Sequence, residues 1–190
     1  MRLSYVNRFS AAVLAGGKST RMGRDKAALC LNGLTLAEHQ LQKLQSLGLT
    51  DLMLSGWADE ITSARFVPDA LPARGPLGGI HACLGAAKHE AVLFLSVDVP
   101  LVPAETLKGL LDAHRGGITL LSVEGASQPL IGVYDRSLRN AAEEILQSDN
   151  TAVRRLFEQA LPRLVEYKGD PNLIRNCNTP ADYEWLLSIS

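Results

Sequence analysis

The chain has 190 residues, 46% of them hydrophobic and 21% charged, which suits one globular domain with a core of useful size. Its 19 basic and 20 acidic residues leave a formal net charge of −1, and 5% of residues are aromatic; both features argue against a nucleic-acid binder. No apolar run approaches a membrane span, and Met1 to Arg8 is too polar for a signal-peptide core. The three cysteines, Cys30, Cys83 and Cys177, form no CxxC pair. The expectation is a cytoplasmic protein that meets no membrane and keeps reduced, buried thiols.

Residues 1–8 read as a flexible end. Ala11-Ala12-Val13-Leu14 opens a short buried strand that breaks at Gly16-Gly17. Asn32-Gly33, set between two short apolar runs, is a two-residue hairpin turn. Ala37, Leu41 and Leu44 follow at helical spacing, and Gly48 stops that helix. Leu49–Ser55 and Arg65–Val67 read as strands and 77–88 as a helix. Ala91–Ser96 is an unbroken apolar run, the signature of a strand buried on both faces. A helix over Pro103–His114 and strands over Ile118–Val123 and Pro129–Tyr134 come next. Two apolar stripes at helical spacing follow, one from Leu138 to Leu146 and one at Val153, Leu156, Phe157 and Ala160. Leu164–Tyr167 is a late strand, and Thr179-Pro180-Ala181-Asp182 is a capping box that opens the last helix. This alternation predicts one α/β domain: a mostly parallel twisted sheet, Rossmann-like, with helices on both faces. Ligands of such sheets bind at the carboxyl ends of the strands, where the segments after Leu14, at Asp69 and at Asp98 could converge.

Four cations, Lys18, Arg21, Arg24 and Lys26, follow the first strand within nine residues. On the glycines alone, a tight surface turn with solvated charges would be the better reading. The cations shift the balance to a polyphosphate site, in which backbone N–H groups bind oxygens and the side chains offset their charge. A phosphate loop of the Gly-x4-Gly-Lys-Ser kind does not fit. Val13-Leu14-Ala15 belongs to the strand, and the segment after Ser19 lacks a helical period. Asp98, at the end of the most buried strand and two residues before Pro100, is the candidate Mg²⁺ ligand, with an Asx turn or helix cap as the alternative. The histidines His39, His81, His89 and His114 sit in helical segments without ligand spacing and read as structural or surface.

Leu14-Ala15-Gly16-Gly17-Lys18-Ser19-Thr20-Arg21-Met22-Gly23-Arg24-Asp25-Lys26 resembles, without a gap, the signature of the molybdenum cofactor guanylyltransferases, part of the nucleotidyltransferase superfamily. Asp98-x-Pro100 is similar to that family's Asp-x-Pro. Arg74-Gly75-Pro76-Leu77-Gly78-Gly79 resembles its Gly-Pro-Leu-x-Gly segment, and Asn176-Cys177-Asn178-Thr179-Pro180 its Asn-x-Asn-Thr-Pro. Ser55 stands where the family often carries Asn.

The resemblance implies transfer of GMP from GTP to the terminal phosphate of a molybdopterin-type cofactor, with release of pyrophosphate and Mg²⁺ as cofactor. Leu14, Ala15, Gly16, Gly17, Lys26, Asp69 and Asp98 would contact the nucleotide, with Arg21, Lys26 and Asp98 catalytic. Pro129, Asn176 and Asn178 would lie on the pterin side. Molybdoenzymes or their chaperones stand open as protein partners. Gly16 favours guanylyl over cytidylyl transfer, since cytidylyl relatives tend to carry Ala there. The runners-up are such a cytidylyltransferase, acting on a pterin cofactor or another phosphate, and a nucleotide-binding protein without catalysis.

Overall fold

The protein is seen in a computed structural model that describes residues 8–16, 26–57, 63–69, 71 and 74–189. Its strands are β1 (Phe9–Leu14), β2 (Cys30–Leu31), β3 (Leu34–Thr35), β4 (Leu52–Ser55), β5 (Arg65–Val67), β6 (Ala91–Ser96), β7 (Ile118–Val123), β8 (Ala126–Asp135) and β9 (Arg163–Glu166). Its α-helices are α1 (Leu36–Ser46), α2 (Pro76–Ala86), α3 (Ala104–Ala113), α4 (Arg139–Leu146) and α5 (Pro180–Ser188). Among the described residues the main sheet runs β5-β4-β1-β6-β8-β7-β9, while β2 and β3 form a separate ribbon.

The two most apolar runs lie side by side in the middle. β1 and β6 pair in parallel from Phe9↔Ala91 to Leu14↔Ser96, and every residue of both is buried. Side chains alternate across a strand, so a strand covered on both faces must be apolar throughout. Phe9, Ala11, Val13, Leu93 and Leu95 join a core with α1, α3 and α5. Ala12, Leu14, Val92 and Phe94 face the other way, onto α2 and α4. Helices therefore cover both faces, as the alternating pattern predicts.

β8 departs from the parallel pattern and runs antiparallel to both β6 and β7. The connection explains it. β7 and β8 are joined by Glu124-Gly125, with φ of 51° and 78°. A two-residue turn with two positive φ values closes a hairpin, whereas a parallel crossover needs a dozen residues or more. β8 thus begins at Ala126, three residues ahead of the expected strand, and Pro129 falls where its register with β7 shifts. Proline lacks the N–H a ladder needs, so an irregular stretch tolerates it.

Local signals hold elsewhere. Asn32 and Gly33 take φ of 50° and 82°, the turn that closes β2 onto β3. Gly48, at φ 82°, donates to the Gln45 carbonyl and ends α1. The Thr179–Asp182 capping box forms, with Pro180 in the first turn. Three expectations change. α2 stops at Ala86, because Ala87 is extended. The Val153 stripe is a 3-10 turn over Val153–Glu158 that buries only Val153 and Leu156, too short a face for an α-helix. Cys30 is exposed, while Cys83 and Cys177 are buried.

Candidate functional site

Four parallel strands end at one level. Register pairs Leu14 with Ser55 and with Ser96, and Ser55 with Val67. The segments that leave them, at Ala15-Gly16, Gly56, Val97-Asp98 and Pro68-Asp69, share one rim. This is the convergence expected at the carboxyl edge of an α/β sheet. β8 is antiparallel, so its amino-terminal half, with Pro129, lies toward the same edge, where Leu95 pairs with Ile131.

Lys26 is the junction of the rim. It opens a 3-10 turn, and its Nζ donates to Asp98 Oδ1 at 3.2 Å and to Asn178 Oδ1 at 2.5 Å. The Lys26 and Asp98 side chains keep 16% and 30% of their exposure, so the pair is reachable from solvent. Asn178 arrives because Cys177 N–H donates to the Asp98 carbonyl at 2.7 Å. Asp182 secures that arrival. Its carboxylate accepts from the Thr179 hydroxyl and from the N–H groups of Thr179 and Asn178, and it pairs with Arg175 at 2.8 Å. The bond from Thr179 and then that from Arg175 hold the Asp182 carboxyl down at about 2. Arg175 in turn lies 4.4 Å over the Trp185 ring. Asn176 is exposed beside Cys177.

The glycine loop is partly in view. Ala15 N–H donates to the Ser55 carbonyl and the Leu14 carbonyl accepts from Val97, so these groups serve the sheet. That narrows the backbone cradle expected from Leu14 onward: the Ala15 N–H is already taken. Gly16 is exposed and touches Gly56, where a Cβ would strike the Gly16 backbone and φ is +89°. Glycine at both places lets two rim loops meet. Gly17 and Arg21 lie outside the described residues, as do Lys18, Arg24 and Asp25.

Asp69 is on the rim with local partners. Its Oδ1 accepts from Leu71 N–H at 3.0 Å, and its carboxylate lies where a Cβ at Gly78 would sit. A carboxylate over the first turn of α2 is favoured by the helix dipole. Ser55 is buried beneath α2, with its hydroxyl against Gly79 and near the Cys83 thiol. Burial pushes that thiol up to about 12, which makes it inert.

Two residues of α1 that the sequence pattern did not single out also hold the loop after β6. Gln40 Nε2 donates to the Ser96 and Val99 carbonyls, each at 2.9 Å. Lys43 Nζ donates to the Pro100 carbonyl at 2.7 Å and to Gln40 Oε1 at 3.0 Å. The available signal was a glutamine one residue before Leu41, on the apolar stripe of an amphipathic helix.

The histidines stand apart from the rim. His39 bonds the Leu31 carbonyl, and buried His81 lies near Glu143. His89 is in a bend after α2 rather than in a helix. His114 bridges Thr119 and Asp135 at the opposite end of the sheet. Thr119 is fully buried there, so its hydroxyl has no access to a substrate as a nucleophile.

Comparison with known proteins agrees with this geometry. Residues 11–164 match the family described as MobA-like NTP transferase domain. A probable molybdenum cofactor guanylyltransferase of Carboxydothermus hydrogenoformans is 35% identical, over 95% of each chain. The molybdenum cofactor guanylyltransferase of Rhizobium johnstonii is 34% identical, over 95% of this chain and 94% of its own. The fold is shared with molybdopterin-guanine dinucleotide biosynthesis protein A of Archaeoglobus fulgidus, at a TM-score of 0.76 and 24% identity over 95% and 97% of the two chains. It is shared also with the 2-C-methyl-D-erythritol 4-phosphate cytidylyltransferase of Thermus thermophilus, at 0.71 and 17% over 96% and 98%. A family match over most of the chain, joined to relatives above 30% identity along nearly its whole length, places this chain in the MobA-like NTP transferase family, and it is a nucleotidyltransferase.

Proposed function

We propose that the chain is a molybdenum cofactor guanylyltransferase: it transfers GMP from GTP to the terminal phosphate of a molybdopterin-type cofactor. The observation that carries this is the Lys26–Asp98–Asn178 junction, on the ligand rim of a chain from this family. A phosphate oxygen of the pterin substrate bonds to the α-phosphorus of GTP. The bond from that phosphorus to the bridging oxygen breaks, and pyrophosphate leaves with the electron pair.

A divalent ion fits Asp98. Mg²⁺ takes one or two carboxylates and completes its shell with phosphate oxygens and water. Asp98 supplies one such oxygen ligand, and the described residues hold no group of three or more His, Cys, Asp or Glu side chains that would form a closed protein cage. When bound, Mg²⁺ neutralises charge on the triphosphate.

The remaining work falls to the chain. Lys26 presents an ammonium to the phosphates, and its two anchors limit where that charge can go. Gly16 and Gly17 let the nucleotide approach the backbone, and Arg21 adds a second cation. Asp69 bounds the nucleotide side of the rim. Pro129, Asn176 and Asn178 border the pterin side, so Asn178 stands at the junction of the two substrates.

Calorimetric titration with GTP, CTP and ATP in Mg²⁺ tests the proposal, followed by pyrophosphate release with molybdopterin-type cofactor. Preference for GTP that disappears in Asp98→Ala is expected. Preference for CTP would move the chain to the cytidylyl branch, and failure to bind any triphosphate would overturn the reading.

A further inference from the structure

The Asp98 carboxylate is carried by a loop that does not stand by itself. Between Ser96 and Pro100 the backbone leaves β6 and turns, exposing carbonyls that strand and helix hydrogen bonding would otherwise use. Three neighbours meet its polar groups. β1 takes Val97 N–H on the Leu14 carbonyl, and Cys177 donates to the Asp98 carbonyl. α1 adds side-chain donors: Gln40 to the Ser96 carbonyl and to the Val99 carbonyl, which also accepts from Val102 N–H at 3.3 Å, and Lys43 to the Pro100 carbonyl, and the two side chains are bonded to each other.

We propose that Gln40 and Lys43 are positioning residues for Asp98, holding the Ser96–Pro100 loop on the path that aims the carboxylate at Lys26. Gln40 is fully buried, and both hydrogens of its amide nitrogen have a place on the loop. Without these side chains the Ser96 and Pro100 carbonyls would lose a donor in buried surroundings, at a cost. Burial pushes the Lys43 ammonium down to about 8, so placing this donor on the loop costs solvation. The same helix also fixes the other side of the junction. Leu36 N–H, in the first turn of α1, donates to the Leu29 carbonyl, three residues beyond Lys26. One rigid element thus sets the positions of both Lys26 and Asp98.

The inference rests on Asp98 as the working carboxylate of the proposed function, so Asp98→Ala is carried through every measurement beside Lys43→Met and Gln40→Met. The readouts are thermal unfolding, GTP affinity in EDTA, Mn²⁺ affinity with saturating GTP by electron paramagnetic resonance, and kcat and KM for pyrophosphate release. Lys43→Met keeps the apolar stem and removes only the donor. It should weaken GTP-dependent Mn²⁺ binding and lower kcat roughly 10- to 100-fold. KM for GTP and metal-free GTP affinity should stay within about twofold of the parent, which general loss of structure would not spare.

Gln40→Met should behave likewise; if it does not fold, Lys43→Met decides. Mn²⁺ affinity and kcat at parent level in Lys43→Met overturn the inference, as does an equal loss of metal-free GTP affinity. If Asp98→Ala itself keeps parent Mn²⁺ affinity and turnover, the reading of the site falls. If Asp98→Ala is inactive while Lys43→Met is unchanged, the positioning role alone falls.

Discussion

Asp51 and Asp98 occupy opposite ends of the same parallel strands and are treated in opposite ways. Asp51 precedes β4 at the amino rim with its side chain 2% exposed. Ser10 Oγ and Lys88 N–H fill one of its oxygens, at 2.6 and 3.0 Å, and Arg65 takes the other at 2.7 Å. Asp98 follows β6 at the carboxyl rim, 30% exposed, with Lys26 on Oδ1 at 3.2 Å. A carboxylate has about four lone-pair sites. The protein commits its own donors to both oxygens of Asp51, which ties together β1, β4, β5 and the turn after α2. Among the described residues Asp98 meets one cationic side chain, Lys26, and it stays partly open to solvent. An acidic residue whose oxygens are met by buried protein donors is part of the fold, and one held by a half-open lysine is available for chemistry.

The largest effect that would sharpen this contrast is on turnover. Asp98→Ala and Lys26→Ala should each reduce pyrophosphate release by about 10³-fold, equivalent to roughly 4 kcal/mol of transition-state stabilisation. Their unfolding transitions should stay at parent level, and a cooperative transition lost in either variant would break the comparison. Next in size is the mirror experiment. Asp51→Ala should cost about 3 kcal/mol of stability in urea unfolding, because it strips the partner from a buried hydroxyl, an N–H and a guanidinium. The folded fraction should turn over as the parent does; a kinetic defect without loss of stability would mean that the amino rim is not merely structural.

The smallest effect is in acid. Burial by itself would raise the Asp51 carboxyl, but the bonds from Ser10, Lys88 and Arg65 outweigh it and hold the group below its ordinary value of 3.8. Asp182 is held down at about 2 by Thr179 and then Arg175. Both groups are depressed on folding, so their contribution is complete above about pH 4 and is lost as pH falls toward the folded values. Thermal unfolding across that range should show the loss, and Asp51→Asn should flatten it in part. An unchanged slope would remove Asp51 from the account.

Much of the architecture was legible in the chain because it rests on local or one-dimensional signals. Two-faced burial demands continuous apolar runs, so β1 and β6 announced themselves. Asn32-Gly33 suits a turn with two positive φ values, and Thr179-Pro180-Ala181-Asp182 satisfies a helix start from its own side chains. Leu14–Gly16, Lys26 and Asp98, singled out by their motifs, likewise lie at one rim of the sheet. The tertiary structure decided the rest. Glu124-Gly125 turned β8 back on β7, which moved Pro129 toward the rim. Lys26 and Asn178 met across 152 residues because β6 and the segment before α5 were brought together at Asp98. Ser55 was turned under α2, and Gln40 was buried on an apolar stripe to serve a loop more than fifty residues further on. Periodicity reports which face of an element is covered. Which polar groups meet across that cover depends on strand register and helix docking, and no single stretch of sequence encodes those.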